Sequence, residues 1–127
     1  MRQEDKELLL KDLCARLPYG VKCYEADVEY TFDIIGTTSN NKEFVFSDGY
    51  ERNLEQIKPY LRPMSSMTEE EKMIQRSKMR YEGYFVNHVY YHTLEEFDYL
   101  NSIHVDYRGL IEKGLALEAP EGMYNKY

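Results

Sequence analysis

The fold is decided most clearly by the stretch Tyr99-Leu-Asn-Ser-Ile-His-Val-Asp-Tyr-Arg-Gly-Leu-Ile-Glu-Lys-Gly-Leu-Ala-Leu-Glu-Ala-Pro120. Asp106 is of the residue type that accepts hydrogen bonds from the free amides at the start of a helix, and Gly114 readily takes the left-handed backbone that ends one. We therefore predict a short helix over residues 106–113, with His104 closing the helix before it. These side chains therefore indicate the start and end of helices and not a reaction site.

The N-terminal third changes from a helical to an extended pattern. Apolar residues recur at helical spacing over residues 3–17, and Pro18 and Gly20 end that pattern. Beyond Gly20 the apolar residues alternate, which is typical of half-buried strands. The pattern predicts an antiparallel meander with strands over residues 21–24, 28–34 and 44–46.

Two residue pairs have the spacing of a capping box, in which a Thr hydroxyl and a Glu carboxylate accept each other's backbone amides. Thr68 with Glu71 predicts a helix over residues 68–80, and Thr93 with Glu96 predicts another. The second helix carries an apolar stripe made of Leu94, Phe97, Leu100 and Ile103.

Two other segments give weaker signals. Asn53 is placed to cap a short helical turn over residues 53–61, and Pro59 keeps that turn short. Residues 81–91 are rich in aromatic and β-branched side chains, so strand, loop and extended helix all remain open there. Together the patterns predict one α+β domain over residues 1–127. A small antiparallel sheet over about residues 20–48 is covered by the N-terminal helix and by the helices that start near Thr68 and Thr93.

Composition limits the classes of function. Lys and Arg total 16 against 23 Asp and Glu, and the net charge of -7 argues against binding to phosphate backbones. The chain has two cysteines, Cys14 and Cys23, each in an apolar pattern that indicates core packing. A charged N-terminus and the lack of an apolar run of about 18 residues predict a cytoplasmic protein that does not enter membranes.

Three pieces of sequence resemble a family of small proteins from gut Bacteroides-type bacteria and their phages or prophages. The pieces are Lys11-Asp-Leu-Cys-Ala-Arg-Leu-Pro-Tyr-Gly20, Ile57-Lys-Pro-Tyr-Leu-Arg-Pro-Met-Ser-Ser-Met-Thr-Glu-Glu-Glu71 and His104-Val-Asp-Tyr-Arg-Gly-Leu-Ile-Glu-Lys-Gly-Leu-Ala-Leu-Glu-Ala-Pro120. The resemblance implies a cytoplasmic setting in bacteria or phage. It assigns no function to any residue.

The three histidines give the chain its one metal hypothesis. His88 and His92 share a face if their segment is helical, and His104 and Asp106 could complete a site for a metal-assisted hydrolase. If the segment is a strand, His88 and His92 lie about 13 Å apart and cannot share one ion. The simpler interpretation is that His104 and Asp106 end and begin helices, so we predict no catalytic residue and no cofactor.

The loop that follows Tyr60 carries residue types that anchor protein interfaces. Tyr60, Arg62, Met64 and Met67 lie around two prolines that restrict the loop. An alternative is that the methionines fill the core below the helix that starts at Thr68.

Aromatic residues over 81–91, among them Tyr84 and Tyr90, could extend this surface, form a homodimer contact, or stack the bases of a single strand. The acidic net charge disfavours nucleic acid. The sequence therefore predicts a small non-catalytic protein of phage or mobile-element origin that binds another protein.

Overall fold

The computed structural model describes residues 1–38, 43–83 and 88–124. It contains three α-helices, which are α1 (Gln3–Arg16), α2 (Glu69–Ser77) and α3 (Leu94–Ser102). Three short 3₁₀-helical turns occupy Leu17–Tyr19, Leu54–Gln56 and Met64–Ser66. The strands are β1 (Lys22–Tyr24), β2 (Phe32–Thr37), β3 (Phe44–Phe46), β4 (Glu51–Arg52), β5 (Lys58–Leu61), β6 (Arg80–Gly83), β7 (His88–Tyr91) and β8 (Leu117–Glu118).

Six strands form one mixed sheet in the order β4-β3-β2-β1-β5-β8. All neighbouring pairs are antiparallel except β5 and β8, which run parallel. Strands β6 and β7 form a separate antiparallel hairpin. The α+β prediction is confirmed, and the sheet extends beyond residues 20–48 because β4, β5 and β8 add to the predicted meander.

The predicted strand over residues 28–34 begins later than its alternation indicated. Val28 closes a turn by donating from its amide to the carbonyl of Glu25, and Asp27 within that turn has a φ of 68°. Tyr30 is about half exposed, at 52%. Strand β2 therefore starts at Phe32, where Phe32 and Ile34 enter the core.

The segment after Asn53 is only partly helical. Asn53 and Gln56 form a capping box around a single 3₁₀ turn. The chain then extends as β5, with Pro59 opposite Cys23 in the register with β1. The prediction of a helical turn up to residue 61 is therefore wrong beyond Gln56, because sheet pairing takes over from local propensity.

Helix α2 begins as the sequence predicts. The Thr68 hydroxyl accepts from the amide of Glu71 at 3.1 Å, and the Glu71 carboxylate accepts from the amide of Thr68 at 2.9 Å. The helix ends at Ser77, earlier than predicted, because the chain turns and Arg80 begins the β6–β7 hairpin. The sequence left the structure of residues 81–91 undecided. In the described residues it consists of two paired antiparallel strands.

Helix α3 ends at a left-handed histidine. His104 has a φ of 64°, its amide donates to the carbonyl of Asn101, and the amide of Val105 donates to the carbonyl of Leu100. These two bonds form a Schellman motif, in which the left-handed residue satisfies the last carbonyls of a helix. His104 thus closes α3, as predicted.

The predicted helix over residues 106–113 does not form. The Asp106 carboxylate accepts from the amides of Leu110 and Ile111, both at 2.9 Å, so it does order the chain that follows. Gly109 has a φ of 75°, which interrupts helical backbone, and the segment consists of turns. Gly114, with a φ of 74°, ends the last of these turns.

Two apolar clusters form the interior. The larger joins Leu9 and Leu13 of α1 to the buried face of the sheet, and the smaller groups Met67, Leu100, Ile103 and Val105. Helix α3 lies against α1, and α2 lies against α3. Leu94 does not join the α3 stripe as predicted, since it is 76% exposed at the start of the helix.

Polar bonds join distant segments. Asp12 on α1 accepts from Arg16 and Arg108, both at 2.8 Å, and the Asp12 and Arg16 side chains are fully buried. Near the C-terminal end, the Tyr124 hydroxyl accepts from the amide of Lys22 on β1 and donates to the carbonyl of Tyr60 on β5. Among the helices of the described ranges, none has the length and apolar character that crossing a bilayer requires.

Candidate protein-binding surface

A shallow groove lies between the 3₁₀ turn Met64–Ser66 and helix α2. We call it the methionine groove, and it has a volume of about 280 Å³. Its lining consists of Met64, Met67, Lys72, Gln75, Arg76 and Met79. Met64 is 42% exposed, whereas Met67 is buried and also packs in the smaller apolar cluster. The groove therefore has a buried methionine at its floor and an exposed methionine at its edge.

The rim of the methionine groove is positively charged. Over residues 72–80 the chain carries four Lys and Arg residues and no Asp or Glu, in a protein of net charge -7. The Arg76 guanidinium lies 5.7 Å from the centre of the Tyr90 ring, which links the groove to the β6–β7 hairpin. Lys72 makes an exposed ion pair with Glu69 at 3.3 Å, and an exposed pair of this kind contributes little to stability.

The hairpin presents aromatic side chains beside this rim. Tyr81, Tyr90 and Tyr91 are 49%, 44% and 39% exposed. The Tyr81 and Tyr90 ring centres lie 5.1 Å apart, and the Arg80 guanidinium lies 4.5 Å from the Tyr91 ring. The Tyr81 hydroxyl also forms a hydrogen bond with Nδ1 of His88. These contacts hold the rings in fixed positions at the surface.

The structure brings together some of the predicted partner-binding residues. Met64 and Met67 line the methionine groove. Tyr90 lies beside the groove, where its ring contacts the guanidinium of Arg76, a lining residue. Tyr60 lies apart from the groove lining on β5, where its ring meets Tyr24 edge to face with centres 6.4 Å apart. Tyr84 falls outside the described residues.

Arg62, which we predicted to contact a partner, uses its guanidinium for contacts within the chain. It donates to both oxygens of Glu71, at 2.8 and 2.7 Å, and to the hydroxyl and carbonyl oxygens of Ser66. It also reaches the carbonyl of Ile103 at 3.3 Å. Arg62 therefore fastens the loop to α2 and to the end of α3, which is a structural role.

The Arg62 pair makes stability depend on pH. Hydrogen bonds from Arg62 hold the pKa of Glu71 at about 2, below its usual 4.5. The unfolded chain therefore binds the proton more readily, and the stabilisation is full above about pH 5 and is lost as the pH falls towards 2. We expect Glu71→Gln to lower the free energy of unfolding by about 2 kcal/mol at pH 7. In urea titrations the difference from wild type should shrink markedly by pH 3.

Glu70→Gln provides the matched control, because Glu70 is an exposed neighbour on the same helix turn. Its difference from wild type should be small and nearly independent of pH. A Glu71→Gln penalty that stays constant from pH 7 to pH 3 would show that the charge pair is not its source.

The four residues of the metal hypothesis have separate surroundings. The His88 ring stacks on Tyr81, and the buried His104 ring stacks on Tyr124 with centres 3.8 Å apart. Nδ1 of His92 lies 2.7 Å from Glu96, and Asp106 binds backbone amides. Within residues 1–38, 43–83 and 88–124, no three His, Cys, Asp or Glu side chains are placed to hold a metal ion.

Sequence reasoning missed the role of Glu96. Its backbone amide donates to the Thr93 hydroxyl, as the cap requires, but its fully buried carboxylate accepts from Gln75 on α2 at 2.8 Å and meets exposed His92. This carboxylate joins α2 to α3 and so fixes one wall of the methionine groove. The spacing of Thr93 and Glu96 signals only a capping box, and nothing local indicates the contact with Gln75.

A larger cleft of about 950 Å³ lies on the other side of α2, between α2, α3 and residues 118–124. Its two serine hydroxyls donate to nearby carbonyls, Ser66 to Pro63 and Ser102 to Tyr99. Arg62 is the cation of its described lining and is paired with Glu71. Among the described residues, the lining of this cleft includes neither His nor Cys.

Comparisons with known proteins do not narrow the function. No protein-family model, curated protein or solved structure matches the chain. The resemblance to small bacterial and phage proteins stays a prediction. The function must therefore be argued from the surface of the molecule itself.

Proposed function

We propose that this chain is a small non-catalytic protein-binding domain that recognises a segment of a partner through the methionine groove and Tyr90. The observation that carries the proposal is the groove itself, which is lined by three methionines together with the cations Lys72 and Arg76. Exposed Met, Tyr and Arg side chains are enriched where proteins bind one another.

Methionine suits such a surface for a physical reason. Its unbranched side chain has three rotatable bonds and a polarisable sulfur, so it adapts to partner side chains of different shapes. Met67 is anchored in the core, whereas Met64 is 42% exposed at the edge of the groove. The groove can therefore take a Leu, Met or Phe side chain without a change of backbone.

Charge indicates the rest of the partner's chemistry. Lys72 and Arg76 lie one turn apart along the α2 wall of the groove, so carboxylates beside an apolar anchor would meet opposite charge there. We infer that the partner offers a short acidic segment with at least one large apolar residue. A cytoplasmic setting in bacteria or phage belongs to the same proposal, and it fits two cysteines that are not joined by a disulfide.

Selection from a library of short random peptides on the purified protein tests the proposal. We expect enriched peptides that combine Asp or Glu with a large apolar residue. Their affinity should fall by at least about tenfold for Met64→Glu and for Tyr90→Ala, since loss of an interface anchor costs about 2 kcal/mol or more and about 1.4 kcal/mol is tenfold.

The chain offers a matched control for each variant. Ile35 on β2 is 61% exposed, and Tyr50 between β3 and β4 is 64% exposed; both lie outside the groove lining. Ile35→Glu and Tyr50→Ala should bind the selected peptides as wild type does. Equal losses in controls and groove variants, or enrichment of basic peptides, would contradict the proposal. Salt-sensitive binding of a single-stranded oligonucleotide that Tyr90→Ala abolishes would favour the nucleic-acid alternative instead.

A further inference from the structure

The outward face of helix α2 carries an exposed apolar residue at its midpoint. Met73 is 72% exposed and is the central residue of the helix Glu69–Ser77. It is absent from the linings of the methionine groove and of the larger cleft, which lie on either side of α2. A single exposed apolar side chain is ordinary at a protein surface, so any pairing of this face depends on the charges around Met73.

Charge on this face is divided about Met73. Glu69 and Glu70 lie one turn before it, and Arg76 lies one turn after it. Glu69 also makes the exposed ion pair with Lys72, and Arg76 also lines the methionine groove. A copy of the same helix in antiparallel orientation would place its Arg76 beside Glu69 and Glu70, and its own acidic end beside Arg76 of the first copy. The face is therefore complementary to itself when it is rotated by a two-fold axis through Met73.

We propose that two copies of this chain associate through α2, with the helices antiparallel and the two Met73 side chains in contact at the two-fold axis. Each copy contributes Glu69 and Glu70 to one end of the contact and Arg76 to the other. Antiparallel helix dipoles add to this pairing, since each negative end lies beside a positive one.

The second copy fits this face better than a partner of one charge does. A uniformly acidic partner would meet Glu69 and Glu70, and a uniformly basic one would meet Arg76. The helix is about 14 Å long, so the contact is smaller than a standard stable interface. We therefore expect association that depends on concentration, not a permanent dimer.

Cysteine cross-linking tests the position of the two-fold axis. In a Cys14→Ser background, which removes the exposed native thiol, Met73→Cys should form a disulfide-linked dimer under mild oxidation. Ser77→Cys is the matched control, because the two copies of residue 77 would lie eight residues apart along the paired helices, about 12 Å. That separation exceeds the limit of about 7 Å between disulfide-linked Cα atoms. Cross-linking of both variants at equal rates, or of neither, would overturn the proposal.

Charge exchange tests the pairing itself. Sedimentation equilibrium of the wild type should show dimer that increases with concentration. Glu69→Lys/Glu70→Lys and Arg76→Glu should each raise the dimer dissociation constant by about tenfold or more, as like charges then meet. The combined variant should recover dimerisation, since the exchanged charges pair again. Failure of the combined variant to recover, with circular dichroism showing it folded, would contradict the pairing.

Arg76 belongs to both proposed surfaces, so the outcome is separated from that of the peptide proposal by a variant that keeps Arg76. Met64→Glu removes a groove residue and leaves the outward face of α2 intact, so its dimerisation should match that of wild type. Loss of dimerisation in Met64→Glu would place the self-contact in the methionine groove and not on the Met73 face, which would contradict the inference.

Discussion

Replacing Asp12 with alanine should lower the free energy of unfolding by about 3 to 5 kcal/mol, because it leaves the buried Arg16 guanidinium without its counter-ion. Each carboxylate oxygen of Asp12 accepts from a different arginine, Arg16 and Arg108, and both distances are 2.8 Å. Arg16 also donates to the carbonyl of Val105 at 2.7 Å. The cluster joins α1 to the loop that follows α3, so its loss weakens contacts between segments far apart in sequence.

Chemical denaturation of Asp12→Ala and Glu7→Ala measures this effect. Glu7 is an exposed carboxylate on the same helix, and its replacement should change stability by less than about 0.5 kcal/mol. Asp12→Asn should fall between the two, because the amide oxygen still accepts one hydrogen bond but the charge is lost. If Asp12→Ala were as stable as Glu7→Ala, the cluster would not hold α1 in place.

Replacing Arg52 with methionine should cost about 3 kcal/mol. The Arg52 side chain is 5% exposed and donates to Glu25 at 2.8 Å and to both oxygens of Asp48, at 3.0 and 2.7 Å. Its guanidinium also lies 3.7 Å from the centre of the Phe32 ring. These bonds hold the pKa of Asp48 well below its usual value. Methionine retains the apolar contact but leaves two carboxylates without a counter-ion.

Lys22→Met is the matched control for this variant. The Lys22–Asp33 ion pair is 35% and 40% exposed, so its loss should cost less than about 1 kcal/mol. Thermal and urea unfolding of both variants measures the difference. Equal destabilisation by the two replacements would mean that burial of the Arg52 cluster adds nothing to its strength.

Local signals predicted the elements that depend on neighbours in sequence. The Thr68–Glu71 capping box forms with both reciprocal bonds, and the apolar spacing of residues 3–17 gives α1. His104 closes α3 as predicted. Each feature is set by bonds between residues no more than five positions apart, which is the range over which sequence spacing carries structural information.

Long-range pairing accounts for the errors. Strand β5 lies where Asn53 and Pro59 suggested a helical turn, because β1 and β8 provide partners on either side of it. The segment 106–113 has the cap and the terminal glycine of a helix. Gly109 nevertheless has a positive φ, and Leu110 and Ile111 pack against the core from a series of turns. Propensity is a weak prior when tertiary contacts compete with it.

The candidate surface could be predicted only in part. The sequence predicted Met64 and Met67 as surface residues. Met79 follows the end of α2 and lines the same groove, which the spacing of these residues along the chain does not indicate. The sequence also predicted Arg62 as a partner-binding residue. Its guanidinium can donate two hydrogen bonds to a carboxylate, whether that carboxylate belongs to a partner or to Glu71 within the chain. Residue type alone cannot distinguish an external partner from an internal one.

Methyl NMR of the methionines tests the proposed recognition most directly. The chain has six methionines, of which Met64, Met67 and Met79 line the groove, while Met1 and Met123 lie outside it. On titration with a selected acidic peptide, the three groove signals should shift together with one dissociation constant, and those of Met1 and Met123 should stay in place. Unchanged groove signals, or shifts confined to Met1 and Met123, would contradict binding at the methionine groove.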